Sequence, residues 1–136
     1  MSWRWQIALL LLLISQLTGC GAGVRGIVGG TAGELHSGDQ PLSDIVITVH
    51  RVDGELTEPI GFADARADGT FELVTMAADA PVRLTPGEYR CTIESSGAPL
   101  LIPQEFRKAE TTPLKLEWTD SDSLIDLDLP PMKLIR

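Results

Sequence analysis

Pro86-Gly87-Glu88-Tyr89-Arg90-Cys91-Thr92-Ile93-Glu94 is the stretch that decides the fold class of this chain. Tyr89, Cys91 and Ile93 alternate with Arg90, Thr92 and Glu94. Successive side chains of a strand point to opposite faces, so this pattern buries one set and wets the other. Pro86-Gly87 is a turn signal that opens the strand. The same period of two recurs on both sides. In 44–52, Ile45, Ile47 and Val49 share one face; Thr48 and His50 take the other, which Val46 makes mixed. Asp53-Gly54 signals a turn. Residues 60–65 are expected to form the next strand, and Ala67-Asp68-Gly69 turns into 70–75, where Phe71 and Leu73 alternate with Thr70 and Glu72. Further on, Leu114, Leu116 and Trp118 oppose Lys115 and Glu117, and Ile125, Leu127 and Leu129 oppose Asp126 and Asp128. Pro130-Pro131 ends the pairing, because neither residue donates to a ladder. Upstream, Gly-rich and apolar 24–31 is expected to be the first strand, with a turn cluster at Ser37-Gly38-Asp39-Gln40-Pro41.

These segments predict an all-β chain of about seven short strands in a two-sheet, Greek-key sandwich. A length of 136 residues suits one domain. The 13 Gly and 9 Pro largely punctuate the strands. Acids outnumber bases by 19 to 11, for a net charge of -8. That balance argues against nucleic acid, whose affinity comes from Lys and Arg on phosphates. Two Cys make no disulfide scaffold, and two His make no histidine metal cage.

The first residues read as an address. Met1 to Gln6 carries Arg4 and no acid, and 7–14 is wholly apolar. Eight residues at about 1.5 Å each fall well short of a bilayer core of about 30 Å, so this is a signal helix and not a membrane span. Leu17-Thr18-Gly19-Cys20 follows at once and resembles the lipobox of bacterial lipoproteins. The resemblance implies cleavage between Gly19 and Cys20, a diacylglycerol with palmitate-type chains on the Cys20 sulfur, and a further acyl chain on the new amine. Two or three chains anchor stably where one does not. The competing reading is an ordinary secretory signal with a chance Cys. The plan of the chain is then a signal peptide (1–19), a lipidated Cys with a short tether (20–23), the sandwich (24–129) and a tail (130–136). Losing 1–19 removes Arg4 and no acid, moving the charge from -8 to -9. It leaves Trp118 as the one tryptophan, and lipid on Cys20 leaves Cys91 without a disulfide partner. The tether reaches roughly 10 Å, so the domain sits close to its membrane, although its acidity repels anionic headgroups. Gly21 stands where the resemblance associates Asp with inner-membrane retention, which points to the outer membrane of a two-membrane bacterial envelope.

Three further segments resemble, in order, the transthyretin-like carboxypeptidase regulatory domain. They are Gly26-Ile27-Val28 with Gln40-Pro41-Leu42-Ser43-Asp44-Ile45-Val46-Ile47, then Ala67-Asp68-Gly69-Thr70-Phe71-Glu72-Leu73, then Leu84-Thr85-Pro86-Gly87-Glu88-Tyr89-Arg90-Cys91-Thr92-Ile93. The likeness spans most of 24–129, and its 31–39 segment is longer and more Gly-rich than the family's usual first hairpin. It implies a transthyretin-like, Ig-like sandwich acting as a structural or protein-interaction module. A relative on the same fold, hydroxyisourate hydrolase, uses histidines, an arginine and a C-terminal Tyr-Arg-Gly-Ser. This chain ends Pro131-Met132-Lys133-Leu134-Ile135-Arg136, so that activity does not carry over.

The clearest polar cluster is Asp120, Asp122, Asp126 and Asp128, a set of hard oxygens of the kind Ca²⁺ takes. Asp64 and Asp68 beside Gly69 are a second such group. Neither follows an EF-hand loop, and the competing reading is a solvated strand face with turn acids. No separation suited to glycoside hydrolysis can be read from these acids, and no nucleophile motif accompanies His36 or His50. Cys91 reads as a small core residue. The 19-residue connection 95–113 holds Leu100, Leu101, Ile102, Phe106, Arg107 and Lys108. It either covers a sheet edge or presents an interaction surface. The sequence therefore predicts a lipid-anchored, non-enzymatic envelope module without a cofactor beyond its lipid, which contacts the membrane through that lipid. Its partner is an envelope protein or a glycan. The alternative is a binding module for glycan or calcium, with Trp118 for stacking, and the least favoured reading is an envelope hydrolase.

Overall fold

The computed structural model describes residues 26–135. The signal helix, the Gly19–Cys20 junction and the tether 20–23 lie outside the described residues. In chain order the strands are β1 (Ala32–Ser37), β2 (Gln40–Pro41), β3 (Ile45–Asp53), β4 (Leu56–Asp64), β5 (Thr70–Glu72), β6 (Gly87–Ser95), β7 (Leu100–Leu101), β8 (Lys115–Trp118), β9 (Ile125–Asp128) and β10 (Lys133–Leu134). Among the described residues one 3-10 turn, Gln104–Arg107, interrupts them.

Two sheets form the sandwich. In the first, β1 pairs with β9 in parallel and with β5 and β2 antiparallel. The second is antiparallel, in the order β4-β3-β6-β8. β6 returns beside β3 and not beside β5, the non-consecutive adjacency of a Greek key. Leu35, Phe71, Ile125 and Leu127 of the first sheet share one core with Ile45, Ile47, Val49, Tyr89, Cys91, Ile93 and Trp118 of the second. Every side chain in that set lies on the apolar phase of its strand. Burial pushes the Cys91 thiol up to about 12, so it is an inert core residue.

The first strand begins later than the sequence suggests. Residues 26–31 form no strand, and β1 takes Ala32–Ser37. Apolar character favours a strand at 24–31, but Gly29 stands at φ 97, outside the extended region. Gly30 lies so close to the chain that a Cβ there would fall 2.0 Å from the Leu73 carbonyl oxygen. This is where the incoming chain crosses Leu73 and Val82, with Leu73 N–H donating to Thr31 O (3.0 Å) and Thr31 N–H to Val82 O (2.8 Å). β4, in turn, starts earlier than expected, at Leu56. Pro59 lacks an N–H, which an edge strand tolerates, and the bulge between Val49 and His50 leaves Ile60 unpaired against the core.

The long connection after β6 closes the side of the sandwich that β8 leaves open. β8 pairs with β6 only over 87–90. Beyond it, Cys91 N–H donates to Leu114 O (2.8 Å) and Thr112 Oγ1 donates to Cys91 O (2.7 Å). Ile102 and Phe106 enter the core, and Arg90 Nη1 donates to Ala109 O (3.1 Å). The tail 130–135 does not end the pairing at the two prolines. Its β10 returns to β7, with Leu134 opposite Leu100, and Ile135 N–H donates to Pro99 O (2.9 Å).

Candidate functional site

One end of the sandwich is the one where β1, β6 and β9 finish. The turn after β1, the segment entering β3, the stretch after β6 and the C-terminal tail meet there. They enclose an open groove of about 520 Å³. Its apolar lining includes Pro41, Leu42, Ala98, Leu100, Met132 and Leu134, and Ser37, Gln40 and Asp44 add polar edges. Asp44 is held at φ 57, a conformation rare outside glycine and most tolerated by Asn and Asp. Its carbonyl accepts from Ser96 N–H (2.9 Å) and Ala98 N–H (3.2 Å), and its own N–H donates to Ala65 O (3.3 Å). The first two bonds hold the 96–98 wall of the groove to the start of β3, and the third ties Asp44 to the chain leaving β4.

Beside the groove, the β1–β2 turn is pinned to β9 by His36. In the parallel register His36 lies opposite Asp128, with Asp126 opposite Glu34. His36 Nε2 bonds Asp126 Oδ1, and Nδ1 bonds Gly38 O (2.7 Å) with Asp128 Oδ1 at 3.5 Å. Gly38 N–H donates to Asp128 Oδ1 (3.0 Å). Both ring nitrogens therefore face atoms that only accept. A neutral imidazole has one N–H, so the imidazolium is the form that satisfies both contacts. The Asp126 hydrogen bond, then the Gly38 carbonyl and the two negative charges, hold the His36 pKa above its ordinary 6.5. With both nitrogens engaged, neither is free to take a proton from a substrate.

This contact predicts a pH dependence. A raised folded pKa means stabilisation that is complete below the unfolded value of 6.5 and is lost as pH climbs through the folded value. Thermal melts of the wild type and His36→Gln from about pH 5 to about pH 9 should differ most at the acid end and converge at the alkaline end. A gap that stays constant across that range would refute the imidazolium contact.

The other residues singled out from the sequence fall elsewhere. Asp120 and Asp122 sit in the turn after β8, at the opposite end of the sandwich from the groove. There Asp122 Oδ2 accepts from Thr119 N–H (2.7 Å) and Thr119 Oγ1 (2.9 Å). Asp126 follows four residues later, about 13 Å along an extended chain. Asp68 Oδ1 accepts from Thr70 Oγ1 (2.6 Å) and Thr70 N–H (3.1 Å), bonds that hold its carboxyl below the ordinary range. Among the described residues no three His, Cys, Asp or Glu side chains converge as a metal requires. The four-aspartate grouping therefore splits into a capped turn and a histidine clasp. His50 lies on the outer face of the second sheet, bonded to Thr92 Oγ1 (2.9 Å), and burial lowers its pKa. Trp118 is buried in the core and not presented for stacking.

The segment 100–108 divides as well. Ile102 and Phe106 are core residues, and Arg107 Nη2 donates to Ile102 O (3.2 Å). Leu101, Arg107 and Lys108 remain exposed, and half-buried Leu100 forms part of the groove. Sequence reasoning missed the groove itself. Its one local signal is the recurrence of proline at 41, 99, 130 and 131, four positions that only the fold brings to one end.

Compared with known proteins, the chain matches no family model, no curated protein and no solved structure.

Proposed function

We propose that this chain is a lipid-anchored protein of the bacterial cell envelope, held at the outer membrane through Cys20. Its sandwich is a non-enzymatic protein-interaction module of transthyretin-like, carboxypeptidase-regulatory type. The observation that carries this reading is the placement of the groove. Gly26 precedes β1, whereas the groove lies where β1, β6 and β9 end. A chain tethered ahead of β1 points that groove away from its anchor, into the space where an envelope partner is met. An apolar lining with a few fixed polar groups is the usual character of a binding cleft.

Two measurements test the two parts. Cys20→Ala should move the chain out of the membrane fraction, and mass spectrometry of the wild type should find acyl chains on Cys20. An unmodified Cys20 in a chain that still sediments with membranes would sink the anchor. For the groove, a photocrosslinking residue at Met132 in the native envelope should give a discrete adduct that Leu42→Glu abolishes. A crosslinker at Thr48, on the outer face of the second sheet, should not give that adduct. The same adduct from both positions, or one indifferent to Leu42→Glu, would overturn the interaction surface.

A further inference from the structure

The exposed large hydrophobic side chains are not scattered over the sandwich. Leu101, Leu134 and Ile135 lie at the groove end. Val28 (72% exposed), Leu56 (74%) and Leu124 (43%) lie at the opposite end, on three different connections. Val28 precedes Gly29, whose carbonyl accepts from Arg83 Nε (2.9 Å). Leu56 closes the β3–β4 hairpin at Gly54, beyond the point where Arg51 pairs with Tyr89 near the start of β6. Leu124 ends the loop from β8 to β9 and stands next to Ile125, the partner of Gly33 near the start of β1. Met76 (49%) belongs to the turn that the antiparallel Phe62–Val74 pair directs the same way. Isolated exposed apolar residues need no explanation, but four on separate loops of one end do.

That end is also where the chain leads back to Cys20. Six steps from Cys20 to Gly26 reach at most roughly 20 Å, so a lipid on Cys20 keeps this end, and not the groove end, within reach of the bilayer. We propose that the loop tips Val28, Leu56, Met76 and Leu124 dip into the interface of a zwitterionic bilayer and orient the domain upright on it; this rests on lipidation at Cys20. The headgroup follows from charge. Asp53, Glu55, Glu88, Asp120 and Asp122 surround the tips and outnumber the bases at this end, Arg51 and Arg83, the latter bound to the Gly29 carbonyl. An anionic surface would repel these carboxylates, whereas a zwitterionic one lets apolar tips enter without that opposition. The acyl chains supply the affinity, and the loop tips supply the orientation.

The test uses the full lipidated chain in phosphatidylcholine vesicles, spin-labelled singly at Leu56→Cys, Leu124→Cys or Leu134→Cys. Cys91 is buried and its thiol protonated, so it stays unlabelled. Labels at 56 and 124 should collide more with lipid-soluble oxygen than with an aqueous nickel chelate, and the label at 134 should do the reverse. Adding Met76→Glu with Val28→Glu should turn the labels at 56 and 124 aqueous while the chain still sediments with the vesicles. An anchored chain whose three labels are all aqueous would overturn this inference and leave the anchor standing. A chain that lacks acyl groups and does not sediment would overturn both. Equal insertion into phosphatidylglycerol vesicles would overturn the zwitterionic assignment.

Discussion

Tyr89→Ala should destabilise the sandwich by about 4 kcal/mol, while Tyr89→Phe should cost about 1 kcal/mol. Tyr89 is 1% exposed near the start of β6, an inner strand of the second sheet, and its hydroxyl donates to Thr85 O at 2.6 Å. The tyrosine thus ties the start of β6 back to the corner four residues upstream, the arrangement known as a tyrosine corner in Greek-key sandwiches. Truncation to Ala loses the ring's transfer energy and leaves a cavity where two sheets meet. The Phe variant keeps the ring and removes only the hydroxyl. Its cost is modest because Thr85 is exposed and water can reach that end of the bond. Against a total stability of about 5–15 kcal/mol, the Ala variant approaches the threshold of folding. Urea denaturation decides it: the midpoint should fall in the order wild type, Phe, Ala at an unchanged slope. A Phe variant as stable as the wild type would show that the corner bond contributes nothing.

Gly33→Ala should cost about 1–3 kcal/mol although it adds one methyl group in a strand that otherwise suits alanine. Gly33 pairs with Phe71 across β1 and β5, and the Phe71 ring lies over it. A Cβ at 33 would stand 2.2 to 2.8 Å from three ring atoms. Phe71 is 1% exposed and enclosed by the core, so the ring cannot swing clear. Phe71→Ala alone should cost about 3–5 kcal/mol through its cavity. Because the methyl group added at position 33 enters that cavity, the double variant should be more stable than the summed losses by about 1–2 kcal/mol. Strict additivity in the double-mutant cycle would mean that ring and glycine do not share the space.

The strands of the second sheet are legible because period two is a local property. Tyr89, Cys91 and Ile93 on one side, and Arg90, Thr92 and Glu94 on the other, need only the alternation of a pleated chain to be sorted. The same rule places Leu116 with Trp118 and Ile125 with Leu127. It fails at 24–31, where apolar character resembles a strand but Gly29 and Gly30 serve a crossing of the chain over Leu73. It also fails at Leu56–Pro59, where proline argues against a strand unless the strand is known to lie at an edge. Edge position is a property of the sheet and is not written in the segment.

The candidate site is less legible for the same reason. Nearness in sequence groups Asp126 and Asp128 with Asp120 and Asp122. The parallel pairing of β9 with β1 instead brings the first two to His36, 90 residues away in the case of Asp126. A parallel partner is set by topology, and no local pattern announces it. The groove likewise depends on β10 returning to β7, a two-residue pairing too short to show any period.

What the sequence determined alone is the all-β class, the inward phase of the long central strands and the acidic surface, because each follows from composition or from neighbours a few residues apart. The tertiary structure decided which strand is β1, which end carries the groove, which histidine meets which aspartates, and at which end the exposed apolar tips gather. These depend on contacts between segments far apart in the chain, and such contacts form only when two sheets bury a common core.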